Sequence, residues 1–322
     1  MRLQHESKKL MKYLVIGGCG FIGSHIAEKL VRDGKSVRIF DNLSSGYEEN
    51  ISSFRNKVEF IKSDIRDISA INAAMAGIDY VFHEAALVSV FDSVKRPKDN
   101  HDINITGTIN VLLAAREAGV KRLVFAASAA AYGNNPLLPK KEDMKPEPES
   151  PYGLAKVTSE QYLALFSKLY GLETVNLRYF NVYGPRQDPG SMYSGVISRF
   201  VEAVLKGESP TVYGDGSQTR DFVFVEDIVQ ANLLAMHTPG IGCGEIFNIG
   251  SGKQTSLLDL LEILKDITGS DFEIKFAESR QGDIKHSVAD ITLAVQKLSY
   301  SPKYDVQTGL KRLVDYVVGR PN

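Results

Sequence analysis

The chain has 322 residues, 43% of them hydrophobic and 24% charged, with 38 Lys and Arg against 39 Asp and Glu. That length allows one large domain or two modest ones, and the even charge balance excludes a generally basic nucleic-acid or membrane-surface binder while allowing a local cationic patch for an anionic substrate. Cys19 and Cys243 make no disulfide framework, no apolar run reaches the ~18 residues of a membrane span, and residues 1–10 lack the long apolar region of an export signal, so the expectations are a loose N-terminal tail and a cytoplasmic location.

Residues 13–16 form a continuous apolar run that stops at glycine, and 37–40, 58–61, 80–82, 123–126 and 174–177 are similar. Unbroken apolar runs fit strands buried on both faces of a parallel sheet. Between the first two, Ile22, Ile26 and Leu30 recur at helical spacing and Gly34 supplies a stop. The alternation predicts an α/β fold, a doubly wound parallel sheet of the Rossmann type, whose strand ends and loops collect along one edge. The proline-rich, charged stretch 136–151 is expected to be a surface loop with freedom to move. After about residue 180 the pattern loosens, with proline and glycine clustered at 184–190 and 210–216. A later strand is expected at 247–249 and a helix at 257–267. The predicted division is a tail at 1–10, a dinucleotide-binding domain at 11–180 with returning segments near 223–250, and a smaller substrate lobe from 181–222 and 251–322.

The first strand runs into Gly17-Gly18-Cys19-Gly20-Phe21-Ile22-Gly23, which opens a helix. Gly17 would allow a sharp turn, Gly20 a close approach to a pyrophosphate, and Gly23 the packing of helix on strand. The amides of the helix start would face the phosphates. A turn alone would also explain a glycine triplet, but here Asp41 ends the second strand. Its carboxylate could accept from an adenosine ribose and would repel a 2′-phosphate, which favours NAD over NADP. Asn42 follows it. Asp64-Ile65 closes the third strand, where an adenine edge could lie. Ala85-Ala86 closes the fourth, small enough for a cofactor or simply for packing.

Tyr152 and Lys156 lie one turn apart on a helix that starts after Ser150-Pro151. A phenol has a reference pKa of ~10, and a nearby ammonium with a positive nicotinamide ring is expected to lower it. The phenolate could then take a proton from a sugar hydroxyl while the carbon loses hydride. Ser128 falls just past the fifth strand, either bridging to Tyr152 or capping the next turn.

These motifs, with Arg178-Tyr179-Phe180-Asn181-Val182-Tyr183-Gly184-Pro185, Thr219-Arg220-Asp221-Phe222 and Gly282-Asp283, resemble the extended short-chain dehydrogenase/reductase family, and within it the UDP-glucose/UDP-N-acetylglucosamine 4-epimerases. The resemblance extends over nearly the whole chain from Met11. It implies that NAD stays bound through the cycle, that Tyr152 is the base, that Lys156 holds the nicotinamide ribose and that Ser128 assists. It also places Asn104 and the Tyr179 segment near the nicotinamide. Val196, Phe200 and the Thr211 to Tyr213 stretch would border the uridine, and Asp283 would hold a ribose hydroxyl. Arg220 and Arg280 suit a pyrophosphate because guanidinium pairs with phosphate oxygens; surface salt bridges are the alternative for each. Asn181, after the sixth strand, could donate to the same phosphates.

Dehydratase relatives carry an Asp-Glu pair immediately after the catalytic Ser or Thr, where this chain has Ala129 and Ala130. Those alanines transfer no protons, which leaves epimerisation through a transient 4-keto sugar. Ser287 matches a position where the family varies between bulky and small residues, and a small one admits N-acetyl groups. Residues 186–189 and 285–287 look most like epimerases acting on UDP-GlcNAc and UDP-GalNAc, although Val88 is larger than the glycine of some of them. The expected activity is therefore on UDP-GlcNAc, and on UDP-glucose too. Two alternatives stand: a UDP-glucuronate 4-epimerase, with Arg186 as the cation for the sugar carboxylate, and a non-catalytic NAD-binding sensor or scaffold. The scattered histidines suggest no metal site. The resemblance implies a homodimer joined through helices near 104–118 and 152–170.

Overall fold

The computed structural model describes residues 11–188, 195–279 and 285–319. Strands β1 (Lys12–Ile16), β2 (Ser36–Asp41), β3 (Glu59–Lys62), β4 (Tyr80–His83), β5 (Arg122–Ser128) and β6 (Glu173–Tyr179) are followed by the short β7 (Asn181–Tyr183), β8 (Thr211–Tyr213), β9 (Thr219–Arg220) and β10 (Phe222–Phe224), then by β11 (Cys243–Ile249), β12 (Thr255–Ser256) and β13 (Lys275–Ala277). The helices are α1 (Phe21–Arg32), α2 (Ile68–Met75), α3 (Val90–Lys95), α4 (Pro97–His101), α5 (Gly107–Glu117), α6 (Pro151–Tyr170), α7 (Val196–Leu205), α8 (Val225–His237), α9 (Leu257–Thr268), α10 (Thr292–Leu298) and α11 (Val306–Val318).

The main sheet has the order β11-β6-β5-β4-β1-β2-β3, and every pairing in it is parallel. The runs at 13–16, 80–82 and 123–126 lie in β1, β4 and β5, inner strands covered on both faces, where polar and apolar residues need not alternate; those at 37–40, 58–61 and 174–177 mark β2, β3 and β6 although Arg38, Glu59 and Asn176 interrupt them, and β3 is a half-exposed edge. Ile26 and Leu30 of α1 and Ile228 of α8 cover one face, against Val15, Phe82 and Val124. Ile71, Val111, Leu112 and Leu163 of α2, α5 and α6 cover the other, against Leu14, Val81 and Phe125. The strand order reverses between β1 and β4, so a crevice opens at their carboxyl ends, beside Gly17 and Glu84.

The lobe is built differently. Its strands pair two by two, β7 with β10, β8 with β13 and β9 with β12. Helices α7, α9 and α11 close over Ile197, Phe200, Leu260, Leu261 and Leu313. The expected free loop at 136–151 is fastened instead. The Lys140 amide donates to the Val288 carbonyl (2.8 Å), the Asp290 amide to the Lys140 carbonyl (2.8 Å), and the Asn248 amide to Glu142 Oε1 (2.8 Å). Among the described residues no helix is long and apolar enough to cross a membrane.

Candidate active site

At the crevice, Gly17 has φ +81°, and a Cβ there would lie 2.6 Å from the Ala85 amide nitrogen. Only glycine accepts both conditions. A Cβ on Gly23 would strike the Gly17 carbonyl, so α1 packs directly on the turn, whereas a Cβ on Gly20 would meet nothing nearer than that carbonyl at 3.2 Å. No side chain caps α1, which leaves its Phe21 and Ile22 end suited to an anion. Asp41 is buried, and it accepts from the Cys19 amide (2.9 Å, Oδ2) and the Leu43 amide (2.8 Å, Oδ1). Burial pushes its carboxyl pKa up and these backbone bonds oppose the rise. The Gly20 amide adds a third backbone bond, which leaves one of the carboxylate's roughly four acceptor positions for a ribose hydroxyl. These features fit a dinucleotide.

Asp64 differs from expectation. Arg66 clasps its carboxylate through Nε (2.9 Å) and Nη2 (2.8 Å), and Asn42 Nδ2 adds a third contact (2.8 Å). The guanidinium holds the carboxyl well below the usual range. An adenine edge placed here would meet a carboxylate already committed. Ile65 packs under α5, where a Cβ on Gly107 would lie 2.5 Å from its Cδ1. Asn104 also works indirectly. Its Oδ1 accepts from the Leu87 amide (2.8 Å), and its Nδ2 donates to the Leu87 carbonyl (3.0 Å) and to Asn100 Oδ1 (2.7 Å). With both amide hydrogens engaged, it fixes the loop after Ala85-Ala86 and has no hydrogen left for a cofactor.

Ser150 caps α6 by accepting from the Gly153 amide (3.1 Å), with Pro151 in the first turn. A Cβ on Gly153 would lie 2.9 Å from the Ala130 carbonyl, so the helix start abuts the turn after β5. That contact brings Tyr152 beside Ser128. Ser128 caps the Ala130 amide (3.1 Å), and its hydroxyl is close enough to the Tyr152 phenol to hold its pKa down. Lys156 is buried, donates to the Ala126 carbonyl (2.6 Å), and lies 5.8 Å from the Tyr152 ring centroid. Burial raises the Tyr152 pKa, and Ser128 is the group that opposes the rise. Lys156 itself is lowered to about 8 by burial, against the pull of Glu84 and Glu160.

On the lobe side, Asn181 is exposed at the start of β7. Arg220 Nη1 is held by the Thr219 carbonyl (2.9 Å), and the Ser287 amide donates to that same carbonyl (3.2 Å). The geometry thus joins Arg220 and Ser287. Val196 opens α7 half-buried, Tyr213 is half-buried and Thr211 exposed. Phe200 is only 2% exposed and belongs to the lobe core, so it supports this wall rather than lining it. Arg280 and Asp283 lie outside the described residues. Arg186 is not aimed at a sugar: its guanidinium pairs with Glu28 (2.6 Å) and reaches Ser24 Oγ (3.3 Å), both on α1.

The profile of the NAD dependent epimerase/dehydratase family matches residues 13–250. The chain belongs to this family. It is 43% identical over 308 residues to a putative UDP-glucose 4-epimerase of Methanocaldococcus jannaschii, covering 94% of this chain and 97% of that protein. The crystal structure of UDP-glucose 4-epimerase with UDP-glucose from Thermotoga maritima superposes with a TM-score of 0.90 at 42% identity, covering 96% of this chain and 99% of that one. UDP-N-acetylglucosamine 4-epimerase of Methanobrevibacter ruminantium, in complex with UDP-N-acetylmuramic acid, gives 0.92 at 41% identity over 96% and 99%.

The sequence reading of this family member passed over Glu84. It follows β4 at the crevice and accepts from the Tyr179 hydroxyl (3.1 Å), while Asn232 Nδ2 donates to that hydroxyl (2.7 Å) and to the Ile228 carbonyl (2.9 Å). Asn232 thus directs the Tyr179 proton onto Glu84. Glu84 Oε2 is enclosed without a hydrogen-bond partner, and burial lifts the carboxyl to about 7. Its position between the alanines and a histidine carries no motif, so only three dimensions expose it. Below pH 7 the carboxyl is neutral; above it, a negative charge faces the Lys156 ammonium, which persists to about 8. Glu84→Gln should therefore remove an inflection near pH 7 from the kcat–pH profile and move the alkaline limb to lower pH. An unchanged profile between pH 5.5 and 9 would show that Glu84 does not act on the reacting centre.

Proposed function

We propose that the chain is a UDP-hexose 4-epimerase that interconverts UDP-GlcNAc with UDP-GalNAc, and UDP-glucose with UDP-galactose, on NAD that it retains. The carrying observation is the Ser128–Tyr152 contact beside buried Lys156, with Ala129 and Ala130 where dehydratases need acids. When bound, NAD accepts hydride from the sugar carbon and returns it. Gly17 to Gly23 would cradle its pyrophosphate and Asp41 its ribose. Tyr152 takes the proton of the sugar hydroxyl on its phenol oxygen and gives it back, while Ser128 holds both oxygens in line. The Lys156 ammonium, anchored on the Ala126 carbonyl, supplies fixed positive charge under the nicotinamide ribose. Asn181 and Arg220 serve the substrate pyrophosphate, with Arg280 and Asp283 expected to join them.

Arg186, the candidate cation for UDP-glucuronate, is engaged by Glu28, which counts against that alternative. A non-catalytic NAD sensor would have no use for an assembled Tyr152, Ser128 and Lys156. Incubation with UDP-GlcNAc, UDP-glucose and UDP-glucuronate separately, without added cofactor, followed by anion-exchange chromatography, tests the assignment. A UDP-GalNAc peak is expected. Turnover of UDP-glucuronate alone, or of none even after NAD is supplied, would defeat it.

Ser287 is only 9% exposed, against β9. A tyrosine there must displace its neighbours or fill the space an N-acetyl group needs. Ser287→Tyr should lower kcat/KM for UDP-GlcNAc by on the order of tenfold or more while sparing UDP-glucose; an equal loss on both substrates would refute the pocket argument. The exposed Leu154, Leu165 and Leu169 on α6 support a homodimer through that helix. Sedimentation of Leu165→Glu against the parent chain checks it.

A further inference from the structure

Asp221 sits next to Arg220, between β9 and β10. Its side chain is fully buried. Oδ1 accepts from the Ser251 amide (2.6 Å) and the Ser251 hydroxyl (2.7 Å). Oδ2 accepts from the Gly252 amide (3.0 Å) and the Ala289 amide (3.0 Å). Its own carbonyl accepts from the Asn181 amide (3.0 Å). All four side-chain donors are neutral, so no counter-ion holds the group; the converging amides and hydroxyl do. Its surroundings leave no slack: a Cβ on Gly250 would lie 2.6 Å from Oδ2 and 2.9 Å from the Ala289 Cβ.

The segments so joined share one property. Asn181 and Arg220 are the pyrophosphate donors of the proposed site, and Ala289 closes the segment that carries Ser287. They come from three distant parts of the chain, joined by short strands and a few backbone bonds, those of the Lys140 segment to Val288 and Asp290 among them. We infer that Asp221 is the positioning residue of the UDP-sugar site, fixing Arg220, Asn181 and the Ser287 segment so that the pyrophosphate and sugar subsites form as one unit. This rests on the reading of Arg220 as a pyrophosphate ligand. A carboxylate is required because only it offers acceptors on both oxygens. An amide would turn two N–H groups toward the amides of one segment.

The test uses the holoenzyme with UDP as the probe, measured by titration calorimetry. Asp221→Asn should weaken UDP binding by about tenfold or more and raise KM with a smaller effect on kcat. Gly250→Ala, which leaves the charge and displaces it, should do the same. The NAD released on denaturation should match the parent chain in both, and Ser251→Ala should give a smaller loss of UDP affinity. Arg220→Ala separates the two levels. If it loses UDP while Asp221→Asn and Gly250→Ala do not, the inference is wrong and the site stands. If Arg220→Ala keeps UDP, the reading beneath the inference fails. If Asp221→Asn loses NAD and melting temperature along with UDP, Asp221 staples the fold and positions nothing in particular.

Discussion

Tyr152→Phe should lower kcat for UDP-hexose epimerisation by on the order of 10²–10⁴-fold, the range of a lost general base, with the fold and the bound NAD retained. Phenylalanine keeps the ring that faces the buried Lys156 and loses only the hydroxyl beside Ser128. The effect is specific because, among the described residues next to Ser128 and Tyr152, Ala129 and Ala130 carry no proton-transferring group and Lys156 donates to the Ala126 carbonyl. Steady-state rates on UDP-glucose and UDP-GlcNAc, with released NAD and melting temperature as controls, decide it. A variant within tenfold of the parent chain, at full NAD content, would remove Tyr152 from the chemistry. The burial that raises the phenol pKa bears on the prediction, because a phenol so placed is ionised less often at neutral pH than one in water, and the rate must come from the assembled site rather than from Tyr152 alone.

The dinucleotide half of this arrangement was legible in the sequence because its physics is local. A strand covered on both faces writes an unbroken apolar run, and a turn at φ +81° against the backbone of the next strand writes a glycine at 17. Tyr152, Lys156 and Ser128 could be grouped from the sequence for the same reason, lying at a helix start and a strand end that the structure brings side by side. The lobe was not legible in detail. Strands such as Asn181–Tyr183 and Phe222–Phe224 are too short to carry a period, and their parallel pairing joins segments far apart in the chain. The errors of aim share another cause. Whether Arg186 faces a sugar or Glu28, and whether Asp64 faces adenine or Arg66, depends on neighbours that spacing does not reveal. Phe200 was misplaced because an aromatic on an amphipathic helix can face a ligand or the core, and here it faces the core.

One turn beyond Lys156 on α6, Glu160 makes a second large effect predictable, this time on stability. Arg178 and Glu160 are 1% and 3% exposed and pair through two of the three guanidinium nitrogens, Nε to Oε1 at 2.8 Å and Nη2 to Oε2 at 2.7 Å. Arg178 also stacks 4.8 Å above the Tyr132 ring, whose hydroxyl donates to Asn248 (2.6 Å). The pair ties β6 to the helix that carries Tyr152 and Lys156. Glu160→Ala strands a guanidinium in the interior, which should cost about 3–5 kcal/mol in chemical unfolding. Replacing both partners by apolar residues, Glu160→Leu with Arg178→Met, should recover most of that loss, since the desolvation of two charges is relieved together. The two outcomes separate stability from catalysis. If the double variant is stable yet slow, the ion pair also sets the rotation of α6, and with it the aim of Lys156 at the Ala126 carbonyl. If it is as unstable as Glu160→Ala, the pair holds the sheet to the helix through its geometry, and apolar volume cannot take its place.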